Sequence, residues 1–414
     1  MIELKKHYVL LLGLNDDWSV ANVNLDLEAQ RVDVVIEWSG GKTASCPECN
    51  GTSAVYDFRE ERSWRHLDSM QCETTIRCRV PRCKCPEHGV KTVETPWAGK
   101  HGRFTLQFEA FAILALQSCS NVKSACRILN ISWDQANDIR SRAVARGLER
   151  RKEETVERLG LDEKSFGKHH DYLSVMTDLD QGRVLDVVPE RKQEAAQELL
   201  LTLSLEQRSS VIAVAMDMWP AYMNAASTLL PEAVIVHDKF HIAKHLNEAV
   251  DMVRKVEHRE LMKDGDSRLA NSKYAVLKDP EKMKEELRQR FDEIRDSNLK
   301  TARAWAIKDQ FKDFWSFDFR YDAEAFFKHW FSWASRCRLA PMVRKAKMLK
   351  NHLAGLLGYV IHPITNAVTE GLNSKIQCLK ANARGFRRFA NYRNAILFHC
   401  GKLDMMPEGV CQKR

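Results

Sequence analysis

The 414-residue sequence predicts a multidomain protein with an α/β catalytic core on a mixed sheet, an all-helical insertion, and a small N-terminal metal-binding module followed by short helices. Three observations carry this reading. Two cysteine-rich knuckles, "CPEC" and "CPEH", lie within the first hundred residues. Residues 104–145 carry helical periodicity in three short blocks. Short apolar runs then alternate with a helical segment up to residue 240, and two of them end in lone acids.

The start of the chain, "MIELKKHYVLLLGLNDDW", mimics a leader, but its apolar run covers only Tyr8–Leu14 and gives way to Asn-Asp-Asp. That run predicts a first strand. Hydrophobic residues make up 44% of the chain, yet no stretch approaches the roughly 20 apolar residues of a membrane span. A cytoplasmic protein without a membrane partner is expected, its twelve cysteines reduced or bound to metal. Net charge is +8, and it is unevenly spread. From Pro341 to Arg414 there are 13 Lys and Arg against 3 Asp and Glu, so the rest of the chain sums to −2. A basic segment on a near-neutral body fits a polyanion, most commonly nucleic acid; the plain alternative is a solvated basic helix.

In each knuckle two residues separate the ligands, which lets both side chains reach one ion. The pairs give Cys46, Cys49, Cys85 and His88, a closed thiolate and imidazole set suited to structural Zn²⁺. Cys83 and Cys78 compete for the third and fourth places, with Cys72 more remote. Between Ile76 and Arg103 the clip carries seven Lys and Arg against two Glu, a surface suited to phosphates.

Phe104–Gln117, Ser120–Leu129 and a third segment from about Trp133 to Ala145 read as helices, with Asn130–Ser132 as the turn between the last two. A short helix, a three-residue turn and a longer polar helix form a helix-turn-helix pattern, which ordinary helical bundles also match. Candidates for the groove-facing side are Ser132, Asp134, Gln135, Asn137, Asp138 and Arg142.

The next segment begins with Leu-Gly-Leu and Asp162. Tyr172–Leu179 and Arg183–Pro189 flank "DQG" as a hairpin of strands, Lys192–Leu203 reads as a helix, and Val211–Met216 as a buried strand ending at Asp217. "WPAY" opens another helix, and Ala233–His237 is a further strand leading into "DKFHIAKHL". Three strands, a helix, a strand, a helix and a strand is the order of a ribonuclease H-like (RNase H-like) sheet. There the first and fourth strands lie side by side, each with a metal-binding acid, and Asp162 and Asp217 meet that demand. Taken alone, Asp217 also reads as a helix cap.

A third acid comes from "HPITNAVTEGLNSKIQ". Asn366, Glu370 and Asn373 are spaced i, i+4, i+7 and so share a helical face. Glu370 is the only acid between Pro341 and Asp404. An acid on a DNA-facing surface repels phosphate unless a divalent cation lies between them; a solvated helix glutamate is the plain reading.

Together, "CPEC…CPEHG", "LDEKSF", "MDMWPAY", "DKFHIAKHL" and "TEGLNSKIQ…ARGFRRFANYRNAI" resemble the DDE transposases of bacterial insertion sequences, of the ISL-three type, over nearly the whole chain. The resemblance implies that Asp162, Asp217 and Glu370 form the DDE triad, binding Mg²⁺ (or Mn²⁺). It also implies that the zinc module and helix-turn-helix grip terminal inverted repeats. "DKFH" is similar to an Asp/Cys-x-x-His signature in related transposases, which makes Asp238 and His241 supporting residues, with Asn366 and Asn373 beside Glu370. Double-stranded DNA is the implied partner, with a homo-oligomer, at least a dimer, in the synaptic complex. Gln135, Asn137, Arg142, Arg384, Arg387 and Arg388 are the expected DNA contacts. The "CRVPRC" cysteines depart from the family pattern.

The expected boundaries are 1–103 for the N-terminal strand region and zinc module, 104–150 for the helix-turn-helix, 151–240 for the first part of the core, 241–355 for the helical insertion and 356–414 for the C-terminal helix and basic tail. The 152 residues between Asp217 and Glu370 exceed what the bare core needs. Trp305, Trp315, Trp330 and Trp333 in the insertion read as core aromatics, or as platforms for flipped bases. His169 and His170 read as surface histidines at a hairpin. The expected activity is metal-dependent DNA cleavage and strand transfer. The rivals are a catalytically inactive DNA-binding repressor and a nuclease without strand transfer.

Overall fold

The apolar stretch near the N-terminus is helical, α1 (Ile2–Leu12), which corrects the expected first strand. Tyr8 and Leu12, one turn apart, are buried, whereas Leu10 and Leu11 are exposed. That is helical spacing, and within "YVLLLGL" only Val9 is β-branched. The computed structural model describes residues 2–151, 154–165 and 172–410. The chain divides into two compact units, Met1–Arg151 with Leu403–Arg414, and Lys152–Lys402.

In the first unit, α1 is followed by β1 (Trp18–Asp26), β2 (Arg31–Trp38), β3 (Thr43–Ser45), β4 (Thr52–Phe58), β5 (Arg62–Arg65), β6 (Glu73–Cys78), β7 (Pro81–Cys85) and β8 (Gly89–Thr92). They form two four-stranded sheets, β1-β2-β6-β5 and β3-β4-β7-β8. Alternating burial along β2 places Val32, Val34 and Ile36 in a core with Trp18, Trp64, Ile76 and Trp97. Trp18 and Trp64 each meet Trp97 edge to face.

The helix-turn-helix then builds from α2 (Leu106–Ser118), α3 (Val122–Leu129) and α4 (Trp133–Arg151), the last running six residues past its expected end. Local capping sets each start. Thr105 accepts from Phe108 N, Asn121 from Ser124 N, and Ser132 with Gln135 makes a reciprocal capping box. Asn130 makes the turn in the left-handed region at φ 51°. Glu109 is buried and neutralised by Arg142 and Arg146. The segment after Lys402 packs on α4: Leu403 lies against Gly147, where a Cβ would come within 2.6 Å of it. Arg146 donates to the Met405 carbonyl, and Arg150 to the Asp404 and Met406 carbonyls.

The second unit contains β9 (Arg158–Ser165), β10 (Tyr172–Asp178), β11 (Arg183–Pro189), α5 (Gln193–Leu201), α6 (Leu205–Ser210), β12 (Ala213–Met216), α7 (Pro220–Leu229) and β13 (Val234–His237). The sheet order is β11-β10-β9-β12-β13. β11, β10 and β9 are antiparallel, and β9, β12 and β13 parallel, so the sheet is mixed as expected. Leu159, Leu161, Met176, Val214 and Met216 share one core with Ala196, Leu199, Tyr222 and Ala226 of α5 and α7. The short α6, absent from the sequence reading, starts on a Ser204–Gln207 capping box.

Helices fill the rest of the unit. They are α8 (Lys239–Lys263), α9 (Lys273–Leu277), α10 (Glu285–Arg295), α11 (Lys300–Gln310), α12 (Arg320–Arg336), α13 (Ala340–Asn351), α14 (Leu353–Ile361), α15 (Ala367–Asn382) and α16 (Phe389–Cys400). α8 to α14 enclose a core containing Phe291, Phe311, Phe314, Phe327 and Trp330. Trp330 is buried and donates to the Ile307 carbonyl at 2.8 Å. Trp305 packs against Phe291 and Trp315 against Tyr359, while Trp333 is exposed. The core reading therefore describes three of the four tryptophans. Arg393 of α16 donates to both carboxylate oxygens of Asp186 on β11 at 2.6 Å, fixing the C-terminal helix to the sheet edge.

Candidate active site and metal clip

Leu161 of β9 pairs with Met216 of β12 in parallel register. The next residues are Asp162, still within β9, and Asp217, the first residue past β12, so the two neighbouring strands bring both acids to the same edge of the apolar runs. The Asp162 carboxylate accepts from the Glu163 amide at 2.8 Å and from the Asn373 side-chain amide at 2.8 Å. Burial pushes its pKa up to about 6. Asp217 accepts from the Met218 amide at 2.6 Å.

β13 delivers the next pair. Asp238 is buried and caps α8, accepting from Phe240 N at 3.2 Å and from His241 Nδ1 at 3.3 Å. That bond raises the His241 pKa, and the charges of Asp217 and Asp162 add to the effect. Behind them His237 is buried edge-on to His352, and burial, with His352 beside it, lowers His237 to about 4.

α15 docks through a contact the sequence reading missed. The Thr369 and Thr177 hydroxyls are 2.8 Å apart, and a Cβ on Gly160 would lie 2.5 Å from one and 2.7 Å from the other. Gly160 thus lets the helix approach β9, and its one signal in sequence is a glycine inside an apolar strand two residues before the acid. Asn366, at the start of α15, is buried and accepts from the Thr369 hydroxyl at 3.2 Å. Asn373 faces Asp162, whereas Glu370, one turn earlier, is exposed. The expected common face is therefore split: the two asparagines point inward and the glutamate lies at its solvent edge. Among the described residues the three carboxylates do not converge within 4.8 Å of one another.

The zinc ligands do converge. Cys46 and Cys49 flank the turn after β3, Cys85 ends β7, and His88 lies in the turn before β8. Their ligand atoms lie within 4.8 Å of one another. Cys46 Sγ is 4.0 Å from His88 Nδ1, Cys49 Sγ 3.8 Å from Cys85 Sγ, and Cys85 Sγ 3.6 Å from His88 Nδ1. A tetrahedron with metal–sulfur bonds of roughly 2.3 Å has edges of about 3.8 Å, so the set fits zinc. Hydrogen bonds from the His88 backbone and side chain pull the Cys85 thiol down to about 6. Cys83 is buried beside Ala44, and Cys78 lies in the core of the β1-β2-β6-β5 sheet, where burial pushes it up to about 12. Both are packing residues.

The expected DNA contacts have these surroundings. Gln135 accepts from Ser132 N in the capping box, Asn137 accepts from Arg140, and Arg142 pairs with Glu109, so each also has a local structural task. Arg384, Arg387 and Arg388 are exposed in the loop between α15 and α16. His169 and His170 lie outside the described residues.

Paired acids on adjacent strands, in a chain that also carries a DNA-reading module, belong to the chemistry of a transposase, and comparison with known sequences returns that class. A family model described as transposase matches residues 159–396. The chain belongs to the ISL3 transposase family: the helix-turn-helix model of that family matches 93–144, and the zinc-finger model of the IS204/IS1001/IS1096/IS1165 transposases matches 42–88. The transposase for insertion sequence element IS1557 of Mycobacterium tuberculosis is 27% identical over 372 residues, 83% of this chain and 82% of the relative. That for IS1001 of Bordetella parapertussis is 26% identical over 350 residues, covering 84% and 86%. The protein is an insertion-sequence transposase that binds DNA, and no helix among the described residues is long and apolar enough to cross a membrane.

Proposed function

We propose that the protein binds the terminal inverted repeats of its element through the zinc clip and helix-turn-helix. It then cuts and joins DNA strands at Asp162, Asp217 and Glu370 on an RNase H-like sheet. The observation that carries this reading is the adjacency of Asp162, within β9, and Asp217, just past the parallel strand β12, with Asn373 of α15 bonded to the first.

The donor set suits a hard divalent cation, because it is all oxygen and Asp162 is held in a desolvated setting that favours its neutral form unless positive charge arrives. Asp162, Asp217 and Glu370 would hold Mg²⁺ (or Mn²⁺), which would activate the attacking oxygen and offset charge on the leaving oxygen. The protein's own residues position and screen. Asn373 fixes Asp162, and Asp238 orients His241, whose pKa is raised by that hydrogen bond and by the neighbouring acids. Thr369 and Thr177 hold α15, and Glu370 with it, against the sheet.

Water attacks the phosphodiester at the element's end, the bond to the 3′ oxygen breaks, and a 3′-hydroxyl is freed. That hydroxyl attacks a target phosphodiester in the same site, and the displaced target oxygen takes up the proton. Each step exchanges one P–O bond for another, so positioning and charge stabilisation suffice without a covalent enzyme intermediate. Joining two ends requires at least a dimer in the synaptic complex.

The test is a Mg²⁺-dependent joining assay with the full chain, a duplex ending in its own inverted repeat, and a supercoiled target, with Asp217→Ala as control. Joined product from the native chain alone is expected. Cleavage without joining would indicate a nuclease, and retarded DNA with neither step a repressor.

A further inference from the structure

The proposed cleavage site borders an aromatic pocket that no residue of the triad lines. Arg191 lies between two rings, with its guanidinium carbon 4.2 Å from the centroid of Tyr172 and 5.0 Å from that of Trp219. Glu163, the neighbour of Asp162, receives Arg191 Nη1 on both carboxylate oxygens at 3.0 and 3.2 Å. The Trp219 indole, two residues beyond Asp217, donates to the Arg191 carbonyl at 3.1 Å. The stack is therefore tied at one end to the residue after the first acid and at the other to the motif following the second. It forms one wall of a groove of about 790 Å³, whose apolar lining includes Leu173, Pro189, Ala221 and Phe389.

We infer that this groove is a nucleobase pocket, taking the base next to the scissile phosphate of the strand being cut, unstacked from the duplex. The inference rests on the strand-cleaving reading. Two features favour a base over a phosphate. The local cations are already paired, Arg191 with Glu163 and Lys192 with Glu190 at 2.7 Å, so little net positive charge remains for an anion. Beside these pairs and Gln193 the lining is apolar, with Trp219 39% exposed, and every base has a π-face to stack on it. Drawing a base out of the stack beside the acids frees the backbone at the phosphate to be attacked. Trp330, Trp305 and Trp315 of the insertion are committed to packing and do not offer such a face.

The experiment uses the full chain and its own end duplex carrying 5-iodouracil singly at each of the three positions on either side of the cut. Irradiation is done without divalent metal, and mass spectrometry locates the crosslink. One position adjacent to the cut should crosslink to Trp219. Trp219→Ala should retain end binding and nick roughly tenfold more slowly or worse, from the usual contribution of one base–aromatic stack; Trp219→Phe, which keeps a ring but loses the bond to the Arg191 carbonyl, should nick faster than Trp219→Ala. A bound duplex that crosslinks to Trp219 from none of these positions overturns the inference, as does native-rate nicking by a folded Trp219→Ala. A Trp219 crosslink in a native chain that never nicks with Mg²⁺ would leave the pocket standing and remove the cleavage reading alone.

Discussion

Asn373 donates a 2.8 Å hydrogen bond to Asp162, 211 residues earlier in the chain. The bond joins the helix carrying the third acid to the strand carrying the first, and it acts on a carboxylate that burial already disfavours as an anion. A hydrogen bond to a charged group is worth about 1.5–3 kcal/mol. Asn373→Ala should therefore lower the nicking rate roughly ten- to a hundredfold at fixed Mg²⁺. Asn373→Asp should do more harm, because it sets a second anion against the first. A Mg²⁺ titration of nicking for the three proteins measures this, and unchanged rates in Asn373→Ala would deny the bond any part in positioning.

The pH dependence follows from Asp162. With its pKa near 6 rather than the usual 3.8, the group is largely protonated at about pH 5 and ionised by about pH 7. Only the anion holds a cation, so Mg²⁺ affinity and nicking should climb through this interval, where an ordinary aspartate would give a flat profile. In metal-free protein the sign for stability is opposite. The folded state retains the proton to higher pH than the unfolded chain, so this group's stabilising effect is greatest below about 4 and declines as pH rises through about 6. Asp162→Asn should remove that decline from the melting temperature measured against pH.

One zinc per chain is expected on metal analysis. Cys85→Ser should lose it together with specific retardation of the end duplex, and Cys83→Ala should keep both, because Cys83 packs without joining the ligand cluster. The metal-free Cys85 thiol is drawn down to about 6 by His88, so zinc affinity should weaken as pH falls below that value. Zinc retained by Cys85→Ser would return the ligand choice to the remaining cysteines.

Gly160→Ala tests the docking of α15. The added methyl meets the Thr177 and Thr369 hydroxyl oxygens well inside contact distance, and overpacking of this kind costs about 1–3 kcal/mol. Melting should fall by a few degrees, binding to the end duplex should persist, and nicking should drop at least tenfold as Glu370 shifts with its helix. Native nicking would show that the helix tolerates the displacement.

Much of this was legible where the signal is local. Ligand spacing sets the two zinc knuckles, and turn chemistry at Asn130–Ser132 sets the helix-turn-helix. Lone acids at the ends of "LGLD" and "AVAMD" mark where two strands deliver charge out of an apolar sheet. What stayed hidden depends on contacts between distant segments. Asn373 is one polar residue among several on its helix until β9 is brought opposite it. Glu163 looks like a surface acid until Arg191 folds over, and nothing local to Arg142 announces its ion pair with buried Glu109. The N-terminal strand was misjudged because a seven-residue apolar run fits either period, and only the burial of Tyr8 and Leu12 decides.

The packing of Leu403 on Gly147 makes α4 depend on a stretch of chain some 250 residues later in the sequence. Leu403 and Met405 are buried, and Arg146 and Arg150 direct side-chain donors to this segment. A nascent chain that stops short of residue 403 leaves the last helix of its DNA-reading unit without this cover, even though that helix was translated some 250 residues earlier. Removal of residues 403–414 should therefore loosen α4 and lower the melting temperature of the unit that contains it.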